Sequence, residues 1–247
     1  MNTIFNLKVK IFADGADKKG ILDMYQHPYI KGFTTNPTLM RKAGITDYKA
    51  FALDVLQSVP DRSISFEVFS DDFEEMYDQA LEIASWGENV YVKIPVTNTK
   101  AEPAYSLIRR LAAKNVKMNV TALMTLDQVY DVTEALAHAP SSYISVFAGR
   151  IADTGRDPLP IMQKSLDIMS PYSQLELIWA SPRELLNIFQ AHDIGCHIIT
   201  ATNDIIKKLS LVGKDLTEYS LETVEMFYKD AQSAGFSLMT DVAKGVA

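Results

Sequence analysis

Lys93 lies between Val92 and Ile94 in "NVYVKIPV", a run of strand-forming residues from Asn89 to Val96. An ammonium in a dry interior is costly to desolvate unless it is paired. Either this lysine reaches out to solvent, or its amine is used inside a site. Strand spacing puts Tyr91, Lys93 and Pro95 on one face and Val92 and Ile94 on the other. If the first face is the interior of a closed sheet, Lys93 cannot turn outward. A neutral lysine amine attacks carbonyls, and burial or a nearby cation favours that form. The iminium so made draws electrons from the neighbouring carbon and permits carbon–carbon bond cleavage or formation. Such chemistry needs proton carriers, and Asp14 and Glu67 are the carboxylates at comparable strand ends. A carboxylate touching the amine would keep it charged. Glu67 is therefore expected to act through a water near Thr121.

Other polar residues fall at the ends of apolar runs: Asn36, Asn119 with Thr121, Ser145, Arg150, Ser181 and Arg183. Asn119 and Thr121 are two apart and share a strand face. Each has a plainer reading. Asp14 can cap the next helix, Asn36 before Pro37 can set a turn, and Asn119 with Thr121 can form a polar core network. Arg150 and Arg183 can be surface ion pairs. The four histidines, His27, His138, His192 and His197, are scattered, and no HExxH spacing offers a zinc site.

The elements that would position these residues repeat regularly. Eight strand-like runs are legible: Leu7–Asp14, Ile30–Asn36, Ser63–Phe69, Asn89–Val96, Lys117–Met124, Tyr143–Gly149, Gln174–Ala180 and Cys196–Ala201. Amphipathic helical stretches alternate with them. In "SDDFEEMYDQALEIASWG" the apolar residues recur at helical spacing, with Ser70 or Asp71 as the expected cap and Gly87 as the stop. "AEPAYSLIRRLAAKN" places Pro103 in a predicted first turn. Eight such units predict a single (β/α)8 barrel domain over residues 1–247, with a helical extension at about 215–235. A doubly wound open sheet is the alternative. Barrel sites form at the C-terminal strand ends, where the polar residues lie.

The chain has 247 residues, 47% of them hydrophobic, and a formal charge of −7 from 24 basic and 31 acidic side chains. That balance offers no basic footprint for nucleic acid. No apolar stretch reaches membrane-spanning length and none reads as a signal peptide. The lone Cys196 rules out an intrachain disulfide and fits a reducing, cytoplasmic setting.

"GFTTNPTL", "FEV", "YVKIP", "MNVTALMT" and "YISVFAGRI" occur in the order found in the transaldolase family, and the chain resembles it from Asp14 through Arg183. The resemblance implies a class I aldolase-type barrel. Such enzymes move a dihydroxyacetone unit between phosphorylated sugars through a lysine Schiff base, with no cofactor. Carried over by motif, Lys93 resembles the Schiff-base lysine, Glu67 the acid/base glutamate and Asp14 the first-strand carboxylate. Thr121 would place the catalytic water. Thr35, Asn36, Asn119 and Ser145 would contact the sugar, and Arg150, Ser181 and Arg183 an anionic group. Val146, Ala148 and Pro182 depart from the commoner "SPFVGR" and from the aromatic usual in "WASPRE". Close relatives that release free dihydroxyacetone tend to carry glutamine at the Glu67 position, so Glu67 favours true transfer. The chain's length resembles the short subfamily, which implies a homo-oligomer.

Overall fold

The computed structural model describes residues 6–236. Strands and helices alternate as β1 (Lys10–Asp14), α1 (Lys18–Tyr25), β2 (Ile30–Thr34), α2 (Pro37–Lys42), α3 (Tyr48–Ser58), β3 (Ser63–Glu67), α4 (Phe73–Ala84), β4 (Val90–Pro95) and α5 (Tyr105–Ala112). They continue as β5 (Met118–Leu123), α6 (Leu126–Ala135), β6 (Ser142–Val146), α7 (Ala148–Asp153), α8 (Leu159–Met169), β7 (Leu175–Trp179), α9 (Leu186–Asp193), β8 (Ile198–Thr202) and α10 (Asn203–Lys207). The strands close in sequence order into one parallel barrel, with β1 paired to both β2 and β8. The alternative open sheet is excluded by that closure, which leaves no edge strand.

Period-two alternation sorts the strand residues. Phe12, Tyr91, Tyr143, Ile178 and Ile198 cluster inside the barrel. Tyr91 and Tyr143 stack with ring centroids 4.0 Å apart, and Phe12 meets Tyr143 edge-on. Gly32 makes room there, because a Cβ at this position would lie 2.7 Å from the Phe12 ring. The opposite phase, including Val92, Ile94, Val120 and Ile144, is fully buried. Each such side chain contributes about 1.5–3 kcal/mol. The long apolar runs overshoot the strands because their last residues already turn: Asn36, for example, caps α2.

Three local expectations are corrected. Asp72, rather than Ser70 or Asp71, caps α4, accepting from the amides of Glu74 and Glu75. Asp71 instead ties the next loop by accepting from Thr99. The helix stops at Ala84, before Gly87, once its buried face of Met76, Ala80 and Ile83 is complete. Pro103 precedes α5 in a bridge with Thr97.

The C-terminal unit holds α11 (Leu216–Ser233), capped by Asp215, where the sequence places its extension. Among the described residues no helix is long and apolar enough to cross a membrane.

Candidate active site

Register across β3, β4 and β5 sets Glu67 opposite Lys93 and Lys93 opposite Asn119. The Lys93 side chain is 8% exposed, its Nζ 3.1 Å from Glu67 Oε2 and 3.0 Å from the Thr35 carbonyl. It points into the barrel mouth and does not reach the outer surface. Glu67 was expected to work through a water. Here its carboxylate meets the amine directly, because neighbouring strands place the two side chains in one interior layer. An ammonium must lose a proton before it can attack a carbonyl, and the carboxylate nearest to this one is that of Glu67. Tyr48, at the start of α3, donates its hydroxyl to the Glu67 carbonyl at 2.7 Å and so holds the end of β3. Burial pushes the Tyr48 phenol up, which keeps it a donor.

Asp14 ends β1 and accepts from the Thr34 hydroxyl at 2.7 Å. It does not cap the next helix; Asp17 does that. Burial pushes the Asp14 carboxyl above the ordinary range, while the charge of Lys93 and the Thr34 hydrogen bond pull it down.

Asn119 is fully buried and bonded on both ends. Its amide donates to Ser65 Oγ at 3.0 Å, and its carbonyl oxygen accepts from Ser145 at 2.7 Å. The three residues form a fixed polar band across β3, β5 and β6. Thr121, two residues on, is buried and its hydroxyl has no partner among the described residues. Such an orphan costs about 1–3 kcal/mol unless a ligand or water satisfies it. Directly after it, Ala122 takes φ 68° and the β5–β6 register shifts. A bulge of this kind re-aims side chains at a barrel rim.

Thr35 and Asn36 turn out of β2. The Thr35 hydroxyl is spent on the Ser65 carbonyl, so this residue meets Lys93 through its backbone. The Asn36 side chain accepts from Leu39 N and caps α2 rather than only setting a turn. Its Nδ2 has no protein partner among the described residues.

The guanidiniums of Arg150 and Arg183 stand on facing elements. Arg150 belongs to α7, exposed, 5.8 Å from the Phe147 ring centroid. Arg183 follows Ser181 after β7 and makes a two-pronged pair with Asp153 of α7. The two elements touch closely: Gly149 N approaches the Ala180 carbonyl at 3.4 Å, and Ser181 adopts φ 58°. Arg150 thus lies on the first of these two neighbouring elements, Ser181 and Arg183 on the second, and Arg183 is held by Asp153.

The motifs thus gather a buried amine, two carboxylates and two arginines at the C-terminal strand ends and on the elements that follow them. The sequence model of the transaldolase/fructose-6-phosphate aldolase family matches residues 11–238. The chain belongs to this family. It is similar to a probable transaldolase of Thermoanaerobacter sp. (strain X514), 33% identical over 231 residues, covering 93% of this chain and all of that one. A probable transaldolase of Dehalococcoides mccartyi is 33% identical over 81% of this chain and 90% of its own. One from Streptococcus agalactiae serotype V is 34% identical over 91% and 98%. Among solved structures, dihydrodipicolinate synthase from Rhodopseudomonas palustris has a TM-score of 0.55 at 13% identity, covering 90% of this chain and 80% of that one. A 2,3-dimethylmalate lyase has 0.55 at 11%, covering 98% and 89%. These likenesses establish the barrel and nothing finer.

Within this transaldolase-family barrel, the motifs did not point to Thr34, Ser65, Tyr48 or Thr200. Strand parity offered a signal for two of them: Ser65 shares the phase of Glu67, and Thr200 shares the phase of the interior Ile198, whereas Thr34 meets Asp14 only through the register between strands. Tyr48 lies on a helix and had none.

Proposed function

We propose that this enzyme is a transaldolase that carries a dihydroxyacetone unit from a ketose phosphate, such as fructose 6-phosphate or sedoheptulose 7-phosphate, to an aldose phosphate. The observation that carries the reading is the Lys93 amine, buried in the barrel mouth and 3.1 Å from Glu67. Lys93 passes a proton to Glu67 and attacks the ketose C2 carbonyl, giving a carbinolamine. Glu67 returns the proton to the departing hydroxyl, which leaves as water, and a water held at Thr121 extends its reach. Asp14 takes the proton of the C4 hydroxyl. The C3–C4 bond breaks, its electrons pass into the enamine, and the aldose leaves. The Asn119–Ser145 band holds the bound three-carbon unit, with Asn36 Nδ2 as a further donor. The enamine then attacks the acceptor aldehyde, and hydrolysis frees the new ketose. Arg150, Ser181 and Arg183 grip the phosphate, whose oxygens suit fixed guanidinium donors. All of this is side-chain chemistry and calls for no cofactor. We read the enzyme as cytoplasmic, acting on phosphorylated sugars and neither on nucleic acid nor at a membrane.

Borohydride with fructose 6-phosphate tests this reading. The expected product is a reduced three-carbon adduct on the Lys93 peptide, and an unmodified peptide would count against it. Erythrose 4-phosphate is expected to accelerate consumption of fructose 6-phosphate at least about tenfold, because the retained enamine needs an acceptor. Equal release of free dihydroxyacetone with and without acceptor would instead favour the aldolase alternative.

We further infer a homo-oligomer. The exposed Leu221, Val224 and Phe227 recur at helical spacing on α11, a stripe suited to a partner surface. Native mass spectrometry is expected to show an assembly, and a monomer at micromolar concentration would refute it.

A further inference from the structure

Thr200 of β8 belongs to no motif considered above, yet its hydroxyl oxygen lies 2.6 Å from that of Thr34. Thr34 in turn is 2.7 Å from Asp14 Oδ1. β1 lies between β2 and β8, so the two threonines come from the strands on either side of the one that carries Asp14. Both are buried, at 2% and 6% exposure. Asp14 stands opposite Thr34 and Thr200 opposite Phe12, so the row of three oxygens runs from below the carboxylate up to it.

Counting protons gives this row a direction. Each hydroxyl has a single proton to donate, and an ionised carboxylate only accepts. When Asp14 is charged, Thr34 must donate to Oδ1. The Thr34 lone pair then takes the Thr200 proton. The reverse order would leave Asp14 facing a bare oxygen lone pair. A donor that itself accepts a hydrogen bond is polarised and donates more strongly.

We propose that Thr200 is a positioning residue for proton transfer at Asp14: it locks the Thr34 hydroxyl as donor to Oδ1 and reserves Oδ2 for the proton of the sugar hydroxyl. The assignment of that proton rests on the function proposed above, whereas the hydroxyl chain exists without substrate. The charge facing Asp14 is that of Lys93 on β4, itself paired with Glu67 on β3. At this level β2 and β8 contribute the hydroxyls of Thr34 and Thr200. Asp17 caps α1, and Asp204, at the start of α10, is exposed. Loss of the Thr200 proton weakens donation to the charged carboxylate, so Asp14 holds its proton to higher pH. Loss of the Thr34 hydroxyl does so more strongly.

The test is a carboxyl 13C NMR titration of Asp14 in the ligand-free protein, with the fold of each variant checked by circular dichroism. The Asp14 midpoint is expected to rise in Thr200→Val and further in Thr34→Val, while Thr200→Ser stays at the wild-type value. Thr200→Ala deletes the same proton without added bulk and serves if the valine variant does not fold. In turnover, Thr200→Val is expected to lower kcat about 5- to 10-fold with KM within about twofold, and to move the acid limb of the kcat profile to higher pH. A midpoint moved by Thr34→Val but by neither Thr200→Val nor Thr200→Ala would remove Thr200 from the mechanism. A midpoint indifferent to both threonines would overturn the whole chain. A wild-type protein without transfer activity would count against the proposed function alone, because the titration needs no substrate.

Discussion

Replacing Lys93 by methionine is expected to lower kcat/KM by on the order of 10^4-fold or more and to abolish borohydride labelling. Methionine fills nearly the same volume, so the interior layer above Tyr91 and Tyr143 stays packed. What disappears is the only nucleophile among the residues gathered at this mouth. No neighbour substitutes for it: Glu67 and Asp14 handle protons, and the hydroxyl of Ser145 is committed to Asn119. The expected loss of stability is much smaller in consequence. Removing one member of a fully buried pair costs about 3–5 kcal/mol. The Glu67 side chain keeps 17% exposure and so stays partly solvated, which puts the cost below that range. Turnover within tenfold of wild type, in a folded Lys93→Met protein, would end the Schiff-base mechanism.

A second large effect is expected far from the amine, at Gly149. A Cβ there would sit 1.5 Å from the Ser181 carbonyl oxygen, 2.7 Å from its carbon and 3.3 Å from Arg183 Nε. A backbone oxygen cannot rotate aside as a side chain would. Ser181 already occupies the left-handed region at φ 58°, which leaves its peptide little freedom. Gly149→Ala must therefore drive α7 and the turn after β7 apart by more than an ångström. Overpacking costs about 1–3 kcal/mol and more where backbone must move, so we expect a loss of ~3 kcal/mol in urea unfolding. Arg150 rides on one of the separating elements, and Ser181 with Arg183 on the other. KM for phosphorylated sugars is accordingly expected to rise about tenfold or more, while the uncharged ketose fructose, which has no anion to grip, is affected far less. Wild-type stability with unchanged KM would show that this close approach does not build the anion end.

The two predictions concern different kinds of information. Lys93 stood out in a strand of eight residues, because a charge amid Val92 and Ile94 contradicts its surroundings and parity groups it with Tyr91 and Pro95. The same alternation exposed Asp14, Glu67, Asn119 and Thr121 as strand-end residues, and eight repeats of it implied closure. Gly149 carries no such mark in the sequence. Its importance comes from the Ser181 carbonyl, about thirty residues away, and from how the helix after β6 meets the turn after β7. Helix boundaries fell between these extremes. Capping residues compete at close range, and packing decided for Asp72 over Ser70 and Asp71.

Period-two spacing and the count of βα units were enough to predict the barrel and the ring of polar ends, and to sort each strand into two faces, while closure decided which face turned inward. They express local geometry, which each segment carries with it. Which of those ends touch was settled by the register between strands and the closure of β8 onto β1. That closure brought Thr200 to Thr34 across the Asp14 strand, and register set Glu67 directly against Lys93 where an intervening water was expected. Contacts across strands depend on how far each is shifted against its neighbour, and no single segment encodes that shift.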